Sequence, residues 1–331
     1  MVQRMRIGFA CKYIPPSLDK QEYRVHNFAT TTVKWLKTHP DECESRLFEI
    51  LRHNISAFAN VLKQVASWPE MLRMMRIGSD LFPVYTHADF KWFWTNAYVQ
   101  QYLATHLPPL GAFARLHRIR LSMHPGQFTV LNSITPLTVD RSIEEIEYHT
   151  DIARFLGYTG WHPDGFAINI HVGSRAGGVD SFRRNAHRLS ADARNLLTIE
   201  NDEMSFGVDD VLLLADEFAI VVDIHHNWCF TEGDFFQATD SRIQQVIDSW
   251  RGVRPKIHYS LSREGFLPVS GMPLYKELNK PKTKLRSHSE FCYNQDLNHW
   301  ALTHLAWADI MVEAKMKNLA SQQLYYTFIT P

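Results

Sequence analysis

AIVVDIHHNW, residues 219–228, runs a short apolar segment straight into a carboxylate and two adjacent histidines. Buried charge is costly unless it is paired or bound to a metal. Asp223 and its histidines therefore stand at an exposed strand end, or they hold something. The apolar part is too short for a helix and has the β-branched character of a strand covered on both faces.

The same pattern recurs along the chain. Short apolar runs occur at 6–10 (RIGFA), 74–78 (MMRIG), 119–123 (IRLSM), 166–170 (FAINI), 196–200 (LLTIE), 219–224 (AIVVDI), 256–260 (KIHYS) and 308–313 (ADIMVE). Segments with apolar spacing of three and four lie between them, at 48–68, 141–157, 180–195 and 208–218. Strands alternating with helices imply right-handed βαβ units and a parallel sheet. Eight such strands predict an α/β fold of the (β/α)8 TIM barrel type, a single catalytic domain over 1–331; an open doubly wound sheet is the competing topology. Two stretches exceed a minimal barrel. One is 13–47; the other is a basic loop insertion at about 261–287, which reads either as a solvated surface loop or as an arm that meets phosphate.

Composition narrows the class. The 331 residues are 45% hydrophobic and 21% charged, as expected of a soluble protein with a substantial core. Lys plus Arg equals Asp plus Glu at 35 each, so no global positive field argues for nucleic acid; a local patch stays open. The four cysteines, Cys11, Cys43, Cys229 and Cys292, are scattered without a C-x-x-C pair, which fits a reducing cytoplasm. The segment MVQRMRIGFA lacks the apolar core of a secretory signal, and no apolar stretch is long enough for a bilayer.

In a barrel of this type chemistry belongs at the carboxyl ends of the strands. Those ends carry His87, His124, His171, Glu200, Asp223 with His226, His258, and Glu313; His288 precedes the last helix. Lys256 shares a strand face with His258, two residues on. A lone histidine at a strand end is more often structural than a ligand. Imidazoles and carboxylates converging from most of the strands are another matter, and suit Zn, Mn or Fe. They exceed the needs of one ion and suit a cluster of two or three, the arrangement that polarises phosphoryl oxygens and generates hydroxide. By spacing, His226 rather than His225 accompanies Asp223.

The motifs RIGSDLFP, RLSMHPGQF, INIHVG, LTIENDE, VVDIHHN, RPKIHYS and VEAK, in that order, resemble the UV damage endonuclease family, relatives of endonuclease IV among xylose-isomerase-like barrels. The resemblance covers nearly the whole chain. It implies a divalent metal cluster, usually manganese, and nicking of damaged double-stranded DNA immediately 5′ to ultraviolet photoproducts, leaving a 3′-hydroxyl. It assigns His87, His124, His171, Glu200, Asp223, His226, His258, His288 and Glu313 to the metals. It makes Glu200, Glu313 and Lys256 catalytic, the lysine being carboxylated in some members. Gln127 and Phe128 match a pair that wedges into the duplex. Phe9 matches a second DNA-contacting aromatic, and Lys280, Lys282 and Lys284 of the insertion are expected on phosphates. Two departures stand out: phenylalanine replaces the usual tyrosine at both 9 and 128, and GSRAGG follows strand four. No membrane or protein partner is implied, and a cytoplasmic, nucleoid-associated location follows. The rival readings are a sugar isomerase or related metal barrel, which needs fewer ligands and no wedge, and a non-catalytic binder of damaged DNA.

Overall fold

The computed structural model describes residues 4–329. Eight parallel strands close into a barrel in sequence order: β1 Ile7–Cys11, β2 Met74–Ile77, β3 Arg120–Met123, β4 Ala167–His171, β5 Leu197–Glu200, β6 Ala219–Asp223, β7 Lys256–Tyr259 and β8 Asp309–Val312. β1 pairs with both β2 and β8, which seals the ring and leaves no open edge. The open-sheet alternative is thereby excluded. Each strand falls within one residue or so of its predicted run.

Strand alternation divides the polar from the apolar. Outward-facing residues such as Ile7, Phe9, Ile168, Ile199 and Val222 join the helices in one continuous apolar core. The inward faces are largely polar. Arg76, Ser122, Asn169, Thr198, Lys256 and His258 are all buried, with only small apolar groups such as Ala10, Met74 and Met311 between them. A barrel lumen with this much buried polarity is organised around partners for those groups, because each would otherwise go unsatisfied.

Phe9 is corrected by this division. It is 0% exposed, points out of the barrel and packs on Trp68 with ring centroids 5.8 Å apart. A side chain on that face of a central strand cannot reach DNA at the rim.

The helix Ala97–Leu116 is not among those the periodicity picks out, because Pro108 and Pro109 interrupt it. Its buried stripe of Val99, Leu103, Leu107, Gly111 and Ala114 overrides the local cost. Gly111 permits the approach to the helix Pro136–Leu156: a Cβ there would run into the carbonyl of Leu156. The insertion after β7 is not structureless. It holds short helical turns at Tyr275–Glu277 and Lys282–Leu285, and Ser262 bridges His288.

Candidate metal centre

Register places the ligand-type residues side by side. His171 of β4 is the partner of Glu200 in β5, and Asp223 of β6 is the partner of His258 in β7. Parallel neighbours are roughly 4.8 Å apart, so side chains on one face at one level converge.

Glu200, 1% exposed, is the hub. Its carboxylate lies 2.9 Å from His258 Nδ1, 3.4 Å from His124 Nε2, 3.5 Å from His226 Nδ1 and 4.0 Å from His171 Nε2. Asn169 donates to its other side. His258 Nδ1 is also 3.2 Å from Glu313. Asp223 ends β6 and at once caps the helix Ile224–Phe230, accepting from the backbone N–H of His225 and His226 at 2.8 and 2.7 Å. That immediate start of a helix is what swings His226 back beside Asp223, 3.7 Å away. His225 turns from the site. It is buried, stacks on Trp228 and lies 3.9 Å from Cys229 Sγ.

Three groups of potential ligand atoms result: His124, His171 and Glu200; Glu200, Asp223 and His226; Asp223, His258 and Glu313. In each, the atoms lie within 4.8 Å of one another. Donor chemistry fits a metal as well. His124 Nδ1 donates to the Pro125 carbonyl at 2.8 Å, which leaves the Nε2 lone pair facing Glu200. His288 Nδ1 donates likewise to the Glu313 carbonyl at 3.0 Å, and its ring lies 6.3 Å from that of His226. His171 Nδ1 and Asp223 Oδ2 are buried without a hydrogen-bond partner. These buried His, Glu and Asp groups can hold a metal cluster.

Electrostatics point the same way. Burial would raise the Glu200 carboxyl, but His258, His171 and His124 hold it well below the usual carboxylate range. Burial pushes Asp223 up to about 6, and the charges of Glu200 and Glu313 add to this. Burial would lower His226, yet Asp223, Glu200, Glu203 and Glu313 lift it to about 9. A histidine so strongly raised reports an excess of negative charge. Arg76 offsets part of it by pairing with Glu313. The remaining field is the one that attracts divalent cations.

Lys256 is 1% exposed, faces the lumen one layer below His258, and its Nζ has no hydrogen-bond partner. Burial, with Arg76 and Arg120 nearby, drives its pKa well below the ordinary lysine value. Loss of its proton is therefore easier than for an exposed lysine.

His87 is not drawn into the three groups. Its Nδ1 accepts from the Asp89 backbone at 3.3 Å, and its ring packs at 5.2 Å from Phe90. It lines a cavity of about 1040 Å³ together with Gln127, Phe128 and Glu144. Gln127 and Phe128 sit on the turn after β3, and Phe128 is 84% exposed, the opposite of a core aromatic. In the insertion, Lys280 and Lys284 are exposed. Lys282 is tied down, donating to the Phe230 carbonyl at 3.2 Å with Glu232 at 3.4 Å.

Several partners escape a reading of strand ends alone. Arg76 and Asn169 lie inside β2 and β4, where a single polar residue in an apolar run is the available signal. Asn201 brackets Asp223 through both backbone groups, at 2.8 and 3.0 Å. Glu203 stands 3.9 Å from His226 and pairs with Arg286 at 2.9 Å.

The fold and this centre define a (β/α)8 barrel with a multi-carboxylate, multi-histidine metal-type site at its carboxyl rim. Residues 5–328 match the sequence profile of the UV-endonuclease UvdE family, and the chain belongs to it. It is 30% identical to a UV-damage endonuclease of Schizosaccharomyces pombe over 97% of this chain and 50% of that protein. It is 24% identical to a UV DNA damage endonuclease of Bacillus cereus (strain B4264), over 89% of this chain and 86% of that one. The chain thus spans about half the length of the fungal relative and most of the bacterial one. The crystal structure of SacUVDE superposes with a TM-score of 0.76 at 24% identity, covering 97% of this chain and 96% of that one, which bears out the barrel fold. Among the described residues, no helix is long and apolar enough to cross a membrane.

Proposed function

We propose that this chain is a metal-dependent DNA repair endonuclease that cuts the backbone 5′ to ultraviolet photoproducts and related lesions. The observation that carries the reading is the sharing of carboxylates. Glu200 belongs to two ligand groups, and so does Asp223. Shared carboxylates between adjacent sites are what a cluster of two or three ions requires, whereas an isomerase barrel needs fewer ligands. The names of the relatives, UV-damage endonucleases, support the same substrate.

The ligands in this reading are His124, His171, Glu200, Asp223, His226, His258 and Glu313, with His288 completing the rim and His87 joining once its ring leaves the Asp89 amide. Bound manganese would polarise the phosphoryl oxygens and supply hydroxide at neutral pH. The chain's own residues do the rest. Glu200 and Glu313 fix His258 between them, and Arg76 holds Glu313 in place. Lys256, buried, without a hydrogen-bond partner and with its pKa lowered by burial, is placed either to take up carbon dioxide as a carbamate or to hold a proton below the reacting phosphate. Water replaces the 3′ oxygen at phosphorus, leaving a 3′-hydroxyl and a 5′-phosphate. Phe128 and Gln127 enter the gap left by damaged bases, a step cheapest at a lesion. Lys280, Lys282 and Lys284 meet phosphates without sequence choice. The four cysteines are free thiols, which suits a reducing cytoplasm and work at the nucleoid.

Metal analysis of the purified protein, followed by nicking of irradiated and unirradiated plasmid, tests the proposal. Two or three equivalents of manganese and nicking confined to irradiated plasmid are expected. Metal without nicking would return the chain to the other metal barrels, and damage-specific binding without nicking would make it a binder.

A further inference from the structure

The opposite end of the barrel concentrates charge of the other sign. Arg4, Arg6, Arg115, Arg118, Arg120 and Arg254 line a cavity of about 360 Å³ at the amino ends of the strands. That volume is at the small end of the roughly 300–1,000 Å³ typical of ligand pockets. Among the described residues, three carboxylates answer these six guanidinium groups. Asp309, wholly buried, takes Arg120 at 2.7 Å, Arg254 at 2.9 Å and Arg6 at 3.6 Å. Glu70 takes Arg4 at 2.8 Å and Arg118 at 3.7 Å. Asp164 is the one acid in the lining among the described residues. Among the described residues, the guanidinium groups of the lining outnumber the carboxylates that meet them.

A network that merely ties strand ends together accounts for the arginines around Asp309. It does not account for the unused donors. Arg120 is 2% exposed and fully anchored, through Nε to the Gly165 carbonyl at 3.0 Å and through Nη1 to Pro255 and Asp309. Its Nη2 is buried with no partner, as is Arg6 Nε. Gly165, at φ +76, makes the fit possible, since a Cβ there would stand 2.6 Å from Arg120 Nε. His162, 0% exposed, lines the same cavity; its Nδ1 donates to the Phe166 carbonyl at 2.9 Å, so its Nε2, also without a partner, is an acceptor. Buried donors and acceptors left unmade are costly, and all three belong to residues that line this cavity.

We propose that this cavity is a second anion site, binding a phosphoryl anion of the size of inorganic phosphate. Guanidinium forks match phosphoryl oxygens in pairs. The O–H of hydrogen phosphate supplies the donor that His162 lacks, which sulfate does not at neutral pH. The site lies across the barrel from the metal-type centre and is independent of the nuclease reading.

Isothermal titration with inorganic phosphate, at constant ionic strength and on the full chain with its metals, tests it. The metal-type centre also attracts phosphate, so three variants separate the sites. Arg118→Gln, at an exposed position of the rim, weakens phosphate about tenfold, the scale of one charge-assisted hydrogen bond. Asp164→Asn tightens it, an outcome that a purely structural arginine network does not produce. Glu200→Gln leaves this binding unchanged. Phosphate bound no more tightly than sulfate or chloride overturns the proposal. So does binding that disappears in Glu200→Gln and persists in Arg118→Gln.

Discussion

Glu200 Oε1 lies 2.9 Å from His258 Nδ1 across the barrel lumen, though the two residues come from strands that are not neighbours. The contact pins a deeply buried carboxylate of the rim to a histidine that also meets Glu313 at 3.2 Å. It follows that Glu200 cannot be changed without loosening all three ligand groups at once.

Glu200→Gln is therefore expected to strip metal from the protein and to reduce nicking by at least about a hundredfold, beyond the roughly 10–100-fold seen when only an outer partner of a ligand is removed. Plasma mass spectrometry and the irradiated-plasmid assay read the two effects. Wild-type metal content together with wild-type nicking would remove Glu200 from the centre. A chelator should lower the melting temperature of the wild type and leave that of the variant nearly unmoved, because a ligand that binds only the folded state stabilises it.

Acid sensitivity has a source far from that centre. His304 accepts from Trp307 Nε1 at 3.2 Å through Nδ1 and donates from Nε2 to the Phe236 carbonyl at 3.0 Å. Both nitrogens are committed to the neutral ring, and burial lowers its pKa to about 4. The unfolded chain's histidine titrates near about 6.5, so between these values the unfolded state binds the extra proton. Stability from His304 is complete above about 6.5 and is lost as pH falls toward about 4. Urea midpoints across this range should fall less steeply for His304→Gln than for wild type, by up to one proton's share, about 1.4 kcal/mol per pH unit. Equal steepness would place the sensitivity on other groups.

Most of the candidate ligand residues are legible because a polar side chain terminates an apolar run, the position that in a parallel barrel faces the carboxyl rim. Glu200 after LLTI and Asp223 after AIVV are of this kind. Phe9 misled because the resemblance overrode strand parity: Ile7, Phe9 and Cys11 share a face, and it is the helix-facing one for Ile7 and Phe9. The helix Ala97–Leu116 was hidden by a proline pair whose cost only tertiary packing offsets. The arginines of the opposite end were illegible for another reason. Arg6, Arg120 and Arg254 are far apart in sequence, each at or just before the start of a different strand, and closure of the barrel alone brings them to Asp309.

Phe128 offers a separation of stability from recognition. An aromatic 84% exposed contributes little to folding, so Phe128→Ala should leave the melting temperature within the range of ordinary surface changes, about 0.5 kcal/mol. On damaged duplex it should lose roughly 1–3 kcal/mol of binding, the value of stacking on one base. Competition between lesion-bearing and intact duplexes measures the ratio. Unchanged discrimination would mean that the turn does not enter the helix.

The lysines of the insertion divide by what holds them. Lys282 is held by the Phe230 carbonyl and Glu232, so part of its role is to fasten the loop to the barrel. Lys280 stands 5.6 Å over the ring of Phe266, and both it and Lys284 are exposed. If these two meet phosphates, the double variant Lys280→Gln, Lys284→Gln should bind damaged and intact duplex more weakly in equal proportion. The slope of log K against log salt should also become shallower by about 0.9 for each phosphate no longer neutralised, or roughly two units in all. Lys282→Gln should instead loosen the loop, seen as faster amide exchange across 275–287, with a smaller change in slope. A double variant that keeps the wild-type slope would show that the insertion does not touch the backbone, and the positive charge that grips DNA would then have to be sought on the barrel itself.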